Sequence, residues 1–453
     1  MIVFEQVRVI SFEPPAVSEP MDVVVAGRGE LALGGGKAGP AEPGSIVETG
    51  TGLAAKYPGA TRVRGSYLSP GLVCGHTHLY SALARGMMVD IAPSKDFAQQ
   101  LRHLWWRLDR AIDLPILEAS ALAGCADAAF SGVTSLVDHH AGPEAIDGSL
   151  SVLRKAYEEV GIRGLLCYET TDRNGLGGAR AGVRENVRFA KEIDEAKKRG
   201  ERPLVDGAIG AHAGFTVGEE TLGELADAVK STGRGLHIHL GEDKFDAVDS
   251  RYRFGADLAA RFEKAGLLGP KSIVGHGVWL SEGEVEILNA TNTFLAHNAR
   301  SNMNNSVGYN NLLPRFANVV LGTDGMSADM LEEFKFACFR HREAGGPWWP
   351  GDFLKVLDRG NRLMERYLGA AFGRVIAGAK ADLVLWDYDP PTPLVGGNIA
   401  GHLAFGLSSR SVRSVMVDGE FVVKDREAVF DAAKIAETAR RESLRLWKRM
   451  EER

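Results

Sequence analysis

The chain has 453 residues, 45% of them hydrophobic and 25% charged, with a net charge of −6. That is ordinary for a globular protein with room for a large core and two or three domains, and it lacks the basic excess of a nucleic-acid binder. No apolar run approaches a membrane span, the first residues carry no basic and apolar leader, and Cys74, Cys125, Cys167 and Cys338 form no C-x-x-C pair, so the expectation is a cytoplasmic protein without a disulfide framework.

Residues 1–69 read as strand-rich. "IVFEQVRVI" and "MDVVVAG" alternate or run apolar, separated by the Pro-rich "FEPPAVSEP" and followed by the Gly-rich "LGGGKAGPAEPG". From residue 70 the texture changes. An apolar run leads into His76, and seven more follow at 133–138, 164–170, 205–212, 235–240, 272–277, 293–298 and 318–324. Helix-like segments lie between them, among them 115–131, 183–200, 217–232 and 250–266. Eight strand–helix units over 70–380 predict a (β/α)₈ TIM-like barrel. "ADLVLWDYD" and "SVRSVMVDGEFVVKD" are strands again, the second a hairpin at Asp418-Gly419, and an amphipathic helix over 431–450 closes the chain. The two β-rich ends, 1–69 and 381–453, are expected to pair into one small β-sandwich domain.

The polar residues fall at the ends of the apolar runs. His76 and His78 end the first, and side chains two apart on a strand share a face at roughly 7 Å. His239 ends "GLHIHL", with Glu242 three residues on; "SIVGHG" carries His276; "NVVLGTD" ends in Asp324. C-terminal strand ends of such a barrel converge at one mouth, so these residues can meet and hold a metal ion. His139 and His140 also end a strand and are candidates for the pocket wall, while His237 is expected one layer deeper as a hydrogen-bonded inner residue. His297 stays open, and His103, His341 and His402 fit no strand end.

"SPGLVCGHTH", "HIHLGED", "GHG" and "LGTDG", in this order, resemble the amidohydrolase superfamily. The likeness is to its branch of guanine deaminase, cytosine deaminase and triazine chlorohydrolases, and within it to the SsnA-like aminohydrolases, whose "TDG--ADM-EEFKFA" phrase is similar to residues 323–337. The resemblance implies that His76, His78, His239 and Asp324 bind one divalent metal, that Glu242 shuttles protons and that His276 contacts the attacking water. It implies a substrate contact for His212 in "GAHAGFT" and for Asn302 in "HNARSNMNN", where Ala299 stands in place of the branch's proline. The branch's Asn-rich loop after Asp324 is here "MSADM". No lysine sits at a middle strand end, which favours one metal over two. Homo-oligomers are common in the branch.

Three imidazoles and a carboxylate suit Zn²⁺, and also Fe²⁺. Such an ion brings water towards a pKa of roughly 7, and acid–base help from Glu242 and Asp324 is worth roughly 10²–10⁴-fold. The expected reaction is deamination of an aminated N-heterocycle, purine-like or pyrimidine-like. The alternatives are an amidohydrolase cleaving a cyclic or acyl amide, and a metal-binding interaction protein without turnover. Trp105 and Trp106 are candidates to stack on a flat ring or to pack a helix on the barrel, and Arg173, with Arg85, to hold an anionic group.

Overall fold

In the computed structural model, which describes residues 1–29 and 42–452, the two chain ends meet in one ten-stranded sheet. Its main path runs Glu427–Ala428, Glu420–Lys424, Val412–Val417, Leu383–Trp386, Tyr67–Pro70, Ile2–Phe12, Met21–Val25 and Ile46–Gly50. The Ile2–Phe12 strand bulges between Phe4 and Val7, where Gln6 takes φ 52° and its backbone N–H turns to Asp22 Oδ1 at 3.0 Å. Asp418 and Gly419 both have positive φ, 50° and 79°, the geometry that closes a two-residue hairpin with the right twist. The Gly-rich stretch expected as a turn lies, from residue 33 to 41, outside the described residues.

The middle of the chain is parallel. Strands Leu72–Thr77, Val133–His140, Arg163–Tyr168 and Val205–Gly207 pair in chain order. Ile209–Ala213, Leu236–Leu240, Ile273–His276, Phe294–His297 and Val319–Leu321 form a second parallel sheet. Bridges Thr170–Ala211 and Thr77–Asp324 join the two sheets at both seams. Helices follow the strands, giving a TIM-barrel-like α/β fold. These strands are buried along their whole length, which is why the sequence shows continuous apolar runs and not alternation.

Three elements differ from expectation. The run 205–212 is two strands, breaking after Gly207 so that its second half joins the other sheet. The helix expected from 183 begins at Gly175, through a Gly-rich stretch of low helical propensity. The helix expected over 250–266 is two, Lys244–Phe254 and Leu258–Lys264, separated where Gly255 adopts φ 64°.

Two ties hold the terminal segments to the parallel strands. Arg163, at the start of its strand and 5% exposed, pairs with Asp382 at 2.7 Å and Asp418 at 2.9 Å. The closing helix, Ala432–Glu451, buries Ile435, Leu446 and Met450 and packs on Leu114–Phe130 and Trp106–Ala111. Arg445 clamps Asp113, the N-cap residue of Leu114–Phe130, at 2.5 and 2.6 Å.

Candidate metal centre

Four side chains from three distant strand ends point their ligand atoms at one spot. His76 lies in the first parallel strand and His78 just beyond it, His239 in Leu236–Leu240, and Asp324 after Val319–Leu321. His239 Nε2 is 3.2 Å from both His76 Nε2 and His78 Nε2. Asp324 Oδ1 is 2.7 Å from His78 Nε2 and 3.4 Å from His76 Nε2. All four residues are buried. Asp324 takes φ 54° and His276 φ 69°, left-handed values for non-glycine residues, of the kind stored at functional sites. Gly322 lets the strand end approach, because a Cβ there would stand 2.8 Å from His76 Cβ.

The donor chemistry fits a divalent cation. His78 Nδ1 lies 2.5 Å from the His139 carbonyl and His239 Nδ1 2.8 Å from the His212 carbonyl, so in both rings Nδ1 carries the proton. Their Nε2 atoms converge, and His78, where Asp324 and Glu169 outweigh burial and push it well above the usual histidine range, turns a proton on Nε2 to Asp324 Oδ1, the place a metal cation would take. Burial pushes His76 down to about 4 and His239 well below the usual histidine range, the neutral form a metal requires. Asp324 is held well below the carboxylate range, since His78 and His76 outweigh the opposing effect of burial. Imidazole nitrogens converging beside a carboxylate call for positive charge among them, which a shared proton or a metal ion supplies. The spacing agrees, because a tetrahedron of metal–nitrogen bonds of about 2.0–2.1 Å has edges of about 3.3 Å.

Glu242 and His276 flank this cluster. Glu242 Oε2 is 3.6 Å from His276 Nε2, and burial, with the charge of Asp324 adding, pushes its carboxyl well above the carboxylate range. His276 Nδ1 bonds Asn302 Oδ1 at 2.8 Å. Asn302, expected on the substrate, thus stands behind His276 and outside the pocket lining.

The cluster opens into a pocket. Trp105 lines it, on a π-helical turn over Leu101–Trp105, its ring against Gly325, where a Cβ would be 2.7 Å from the indole. His212 lines it too, with Nδ1 2.9 Å from Thr216 Oγ1. Arg173 does not line it. Its guanidinium binds Asp109 at 2.8 Å and stacks 4.6 Å from the Trp106 ring centre. Arg85 is paired at the surface with Asp127. His237 is the inner residue expected, 2.8 Å from His76 Nδ1, and His139 stacks on it at 4.3 Å between ring centres. Neither His139 nor His140 lines the pocket. Tyr80, Asp109, Glu169 and Asn305 do, and sequence reasoning missed all four. Glu169 carried a usable signal, since it stands at the C-terminal end of the strand Arg163–Tyr168, as the other site residues stand at or near the ends of theirs.

The amidohydrolase family model matches residues 67–422. The chain belongs to the amidohydrolase family. This amidohydrolase is 28% identical over 408 residues to the 5′-deoxyadenosine deaminase of Methanosarcina mazei, covering 88% of this chain and 91% of that one. Among solved structures it is similar to a zinc-bound adenosine deaminase from Xanthomonas campestris, with a TM-score of 0.80, 21% identity, and coverage of 99% of this chain and 98% of that one. It is also similar to the zinc-bound atrazine chlorohydrolase of Arthrobacter aurescens TC1, with a TM-score of 0.78, 22% identity, and coverage of 98% and 100%.

Proposed function

We propose that this amidohydrolase hydrolytically deaminates an aminated N-heterocycle, purine-like or pyrimidine-like, with one divalent metal held by His76, His78, His239 and Asp324. The observation that carries the reading is Glu242, a buried carboxyl with a raised proton affinity, beside His276 at the edge of that cluster. Zinc fits the three imidazoles and the carboxylate, and Fe²⁺ suits the same donors. The ion supplies Lewis-acid activation of water at neutral pH.

The residues divide the remaining work. Asp324, kept ionised, takes a proton from the attacking water. Glu242 gives a proton to a ring nitrogen and so makes the amino-bearing carbon electrophilic. His276, oriented by Asn302, hydrogen-bonds the oxygen that adds. A C–O bond forms, the C–N bond breaks, and the amine leaves as ammonia with the proton delivered to it. Trp105 and His212 line the space for the ring.

The same reading takes the two bridged sheets as one (β/α)₈ barrel over 70–380, with 1–69 and 381–453 as a β-sandwich domain. It includes a small-molecule substrate, no nucleic-acid or membrane partner, and a homo-oligomer. All four cysteines are buried free thiols, which supports a reducing cytoplasm. Among the described residues no helix is long and apolar enough to cross a membrane.

The test is ammonia release from aminated purines, pyrimidines, pterins and triazines by zinc-loaded protein. The expected result is release from one ring class, abolished by chelation. Cleavage of cyclic or acyl amides without ammonia from any ring compound would overturn the reading.

A further inference from the structure

One short segment touches all three acid–base side chains, Asp324, His276 and Glu242. It is the helix Ala299–Asn304 with its C-cap residue Asn305. Ser301 Oγ donates to Asp324 Oδ2, Asn302 Oδ1 accepts from His276 Nδ1 at 2.8 Å, and the Asn305 amide hydrogen-bonds the Glu242 carboxyl. The three histidines of the metal cluster take their partners elsewhere, from the His139 and His212 carbonyls and from His237. Positions 301 and 305 are one helical turn apart and share a face. Ser301, Asn302 and Asn305 are all buried. Arg300 anchors the segment: its Nε is 2.6 Å from Glu333 Oε2 in the helix Met330–Glu343, and its Nη2 donates to the Ser327 carbonyl.

The polarity of these bonds is fixed from the Asp324 end. An ionised carboxylate has no proton to give, so the Ser301 hydroxyl proton goes to Asp324. The Ser301 oxygen is then free to accept, and Asn305 Nδ2 stands 3.2 Å from it. Asn305 Oδ1 already accepts from Gln100 Nε2 at 2.9 Å and from Asn304 Nδ2 at 3.2 Å. Both amide hydrogens of Asn305 are therefore left for Ser301 and Glu242. The chain runs from Gln100 through Asn305 and Ser301 to Asp324, each group donating to the next. A serine inside a helix ordinarily points to solvent or bonds the carbonyl one turn back. Ser301 instead meets a carboxylate 23 residues away. Asp324 Oδ1 is the oxygen that faces the cluster nitrogens, 2.7 Å from His78 Nε2. A donor on Oδ2 stops the carboxylate from turning and leaves Oδ1 for the ion.

We propose that Ser301 and Asn305 are positioning residues of the acid–base machinery. Ser301 fixes Asp324 through Oδ2, and Asn305 ties Ser301 to Glu242, so that the group taking a proton and the group giving one keep a set separation. The Asn305 role rests on the deaminase reading, whereas the Ser301 role stands on the metal cluster alone. Gln100 belongs to the helix Phe97–Gln100, whose Phe97 and Ala98 line the pocket, so the far end of the chain is anchored in the pocket wall.

The test takes the full chain as Ser301→Ala, Ser301→Thr, Asn305→Leu and the double variant Ser301→Ala/Asn305→Leu. Zinc affinity is measured by chelator competition, and kcat and KM on the ring compound that the wild type deaminates. Ser301→Ala is expected to weaken zinc binding about 10–100-fold, while Ser301→Thr, which keeps the hydroxyl, stays within about threefold of the wild type. Asn305→Leu is expected to lower kcat by about 10-fold, with KM and zinc affinity within about threefold of the wild type. As links of one chain, the two changes together cost less in kcat than the product of the single losses. Wild-type zinc affinity and kcat in Ser301→Ala, or single losses that multiply in full in the double variant, overturn the proposal. A Thr variant as impaired as the Ala variant at an unchanged Tm assigns the effect to shape and removes the Ser301 role. Ammonia from no ring compound with the wild type overturns the deaminase reading and the Asn305 role with it, and the zinc affinities of the Ala and Thr variants still decide the Ser301 role.

Discussion

His237 Nε2 lies 2.8 Å from His76 Nδ1, so a neutral imidazole, and not a carboxylate, sits behind one member of the metal cluster. With the His76 lone pair at Nε2, its Nδ1–H donates to His237, and His237 Nδ1 faces Cys167 Sγ at 3.6 Å. Such outer partners fix the tautomer and the ring angle of a ligand. His237→Phe keeps a ring in that space and removes the acceptor. It is expected to weaken zinc binding about 10–100-fold, the usual cost of an outer-shell partner. Competition with a chromogenic chelator measures this, and wild-type affinity would show that His76 needs no such support.

Glu242→Gln removes the transferable proton and nearly preserves shape. Metal content is expected to stay at the wild-type level while kcat falls by about 10²–10⁴-fold. Metal analysis and ammonia release on the same sample separate the two effects. Near-normal turnover would exclude the proton-shuttle role.

Asp246 gives a pH-dependent stability. Its carboxyl accepts the Gly241 N–H at 2.8 Å, yet burial pushes its pKa up to about 7. The unfolded carboxyl titrates near about 3.9. The folded state therefore binds the proton more tightly, and this group's contribution to stability falls as pH rises from about 4 to about 7. Asp246→Asn cannot ionise. The difference in Tm, variant minus wild type, is expected to become more positive between pH 4.5 and 7.5, and a flat difference would contradict the assignment.

The Arg163 pairs with Asp382 and Asp418 are buried and link a parallel strand to the terminal sheet. Removing one partner of a buried ion pair leaves uncompensated charge and costs about 3–5 kcal/mol. Arg163→Met is expected to lower stability by about that amount in urea unfolding, with the metal cluster intact in the folded fraction. Asp382→Asn in the same background should recover part of the loss, because Arg163 is the cation paired with Asp382, whereas Asp418 keeps Arg202 and Arg28.

The sequence made the metal cluster legible because its residues interrupt apolar runs at their ends, where a polar side chain is conspicuous. His76, His78, His239 and Asp324 are expected as ligands on that ground, and the structure brings them within 3.4 Å of one another along the measured pairs. Glu169 obeys the same rule and was passed over because "LLCYETTDR" continues without a break. Trp106 stands beside Trp105 as an expected ring-stacking residue and does line the pocket, whereas Asp109 could not be found, since it sits on a short helix whose pattern looks like any amphipathic segment. Asn302 was placed on the substrate by motif, whereas the fold turns it to His276. Arg173 was read as free for an anion because its partner, Asp109, is 64 residues away in the chain. Such pairings depend on tertiary packing, which local pattern does not carry. The ten-stranded sheet was visible as β-rich ends, but its order, with Tyr67–Pro70 between Leu383–Trp386 and Ile2–Phe12, was not.

The most direct measurement is the metal content per chain of the purified protein, wild type beside His78→Ala and Asp324→Ala. The account predicts one divalent ion per wild-type chain and less than a tenth of that, on the order of a lost ligand's effect, in either variant. Full metal content in both variants, or two ions per wild-type chain, would contradict it.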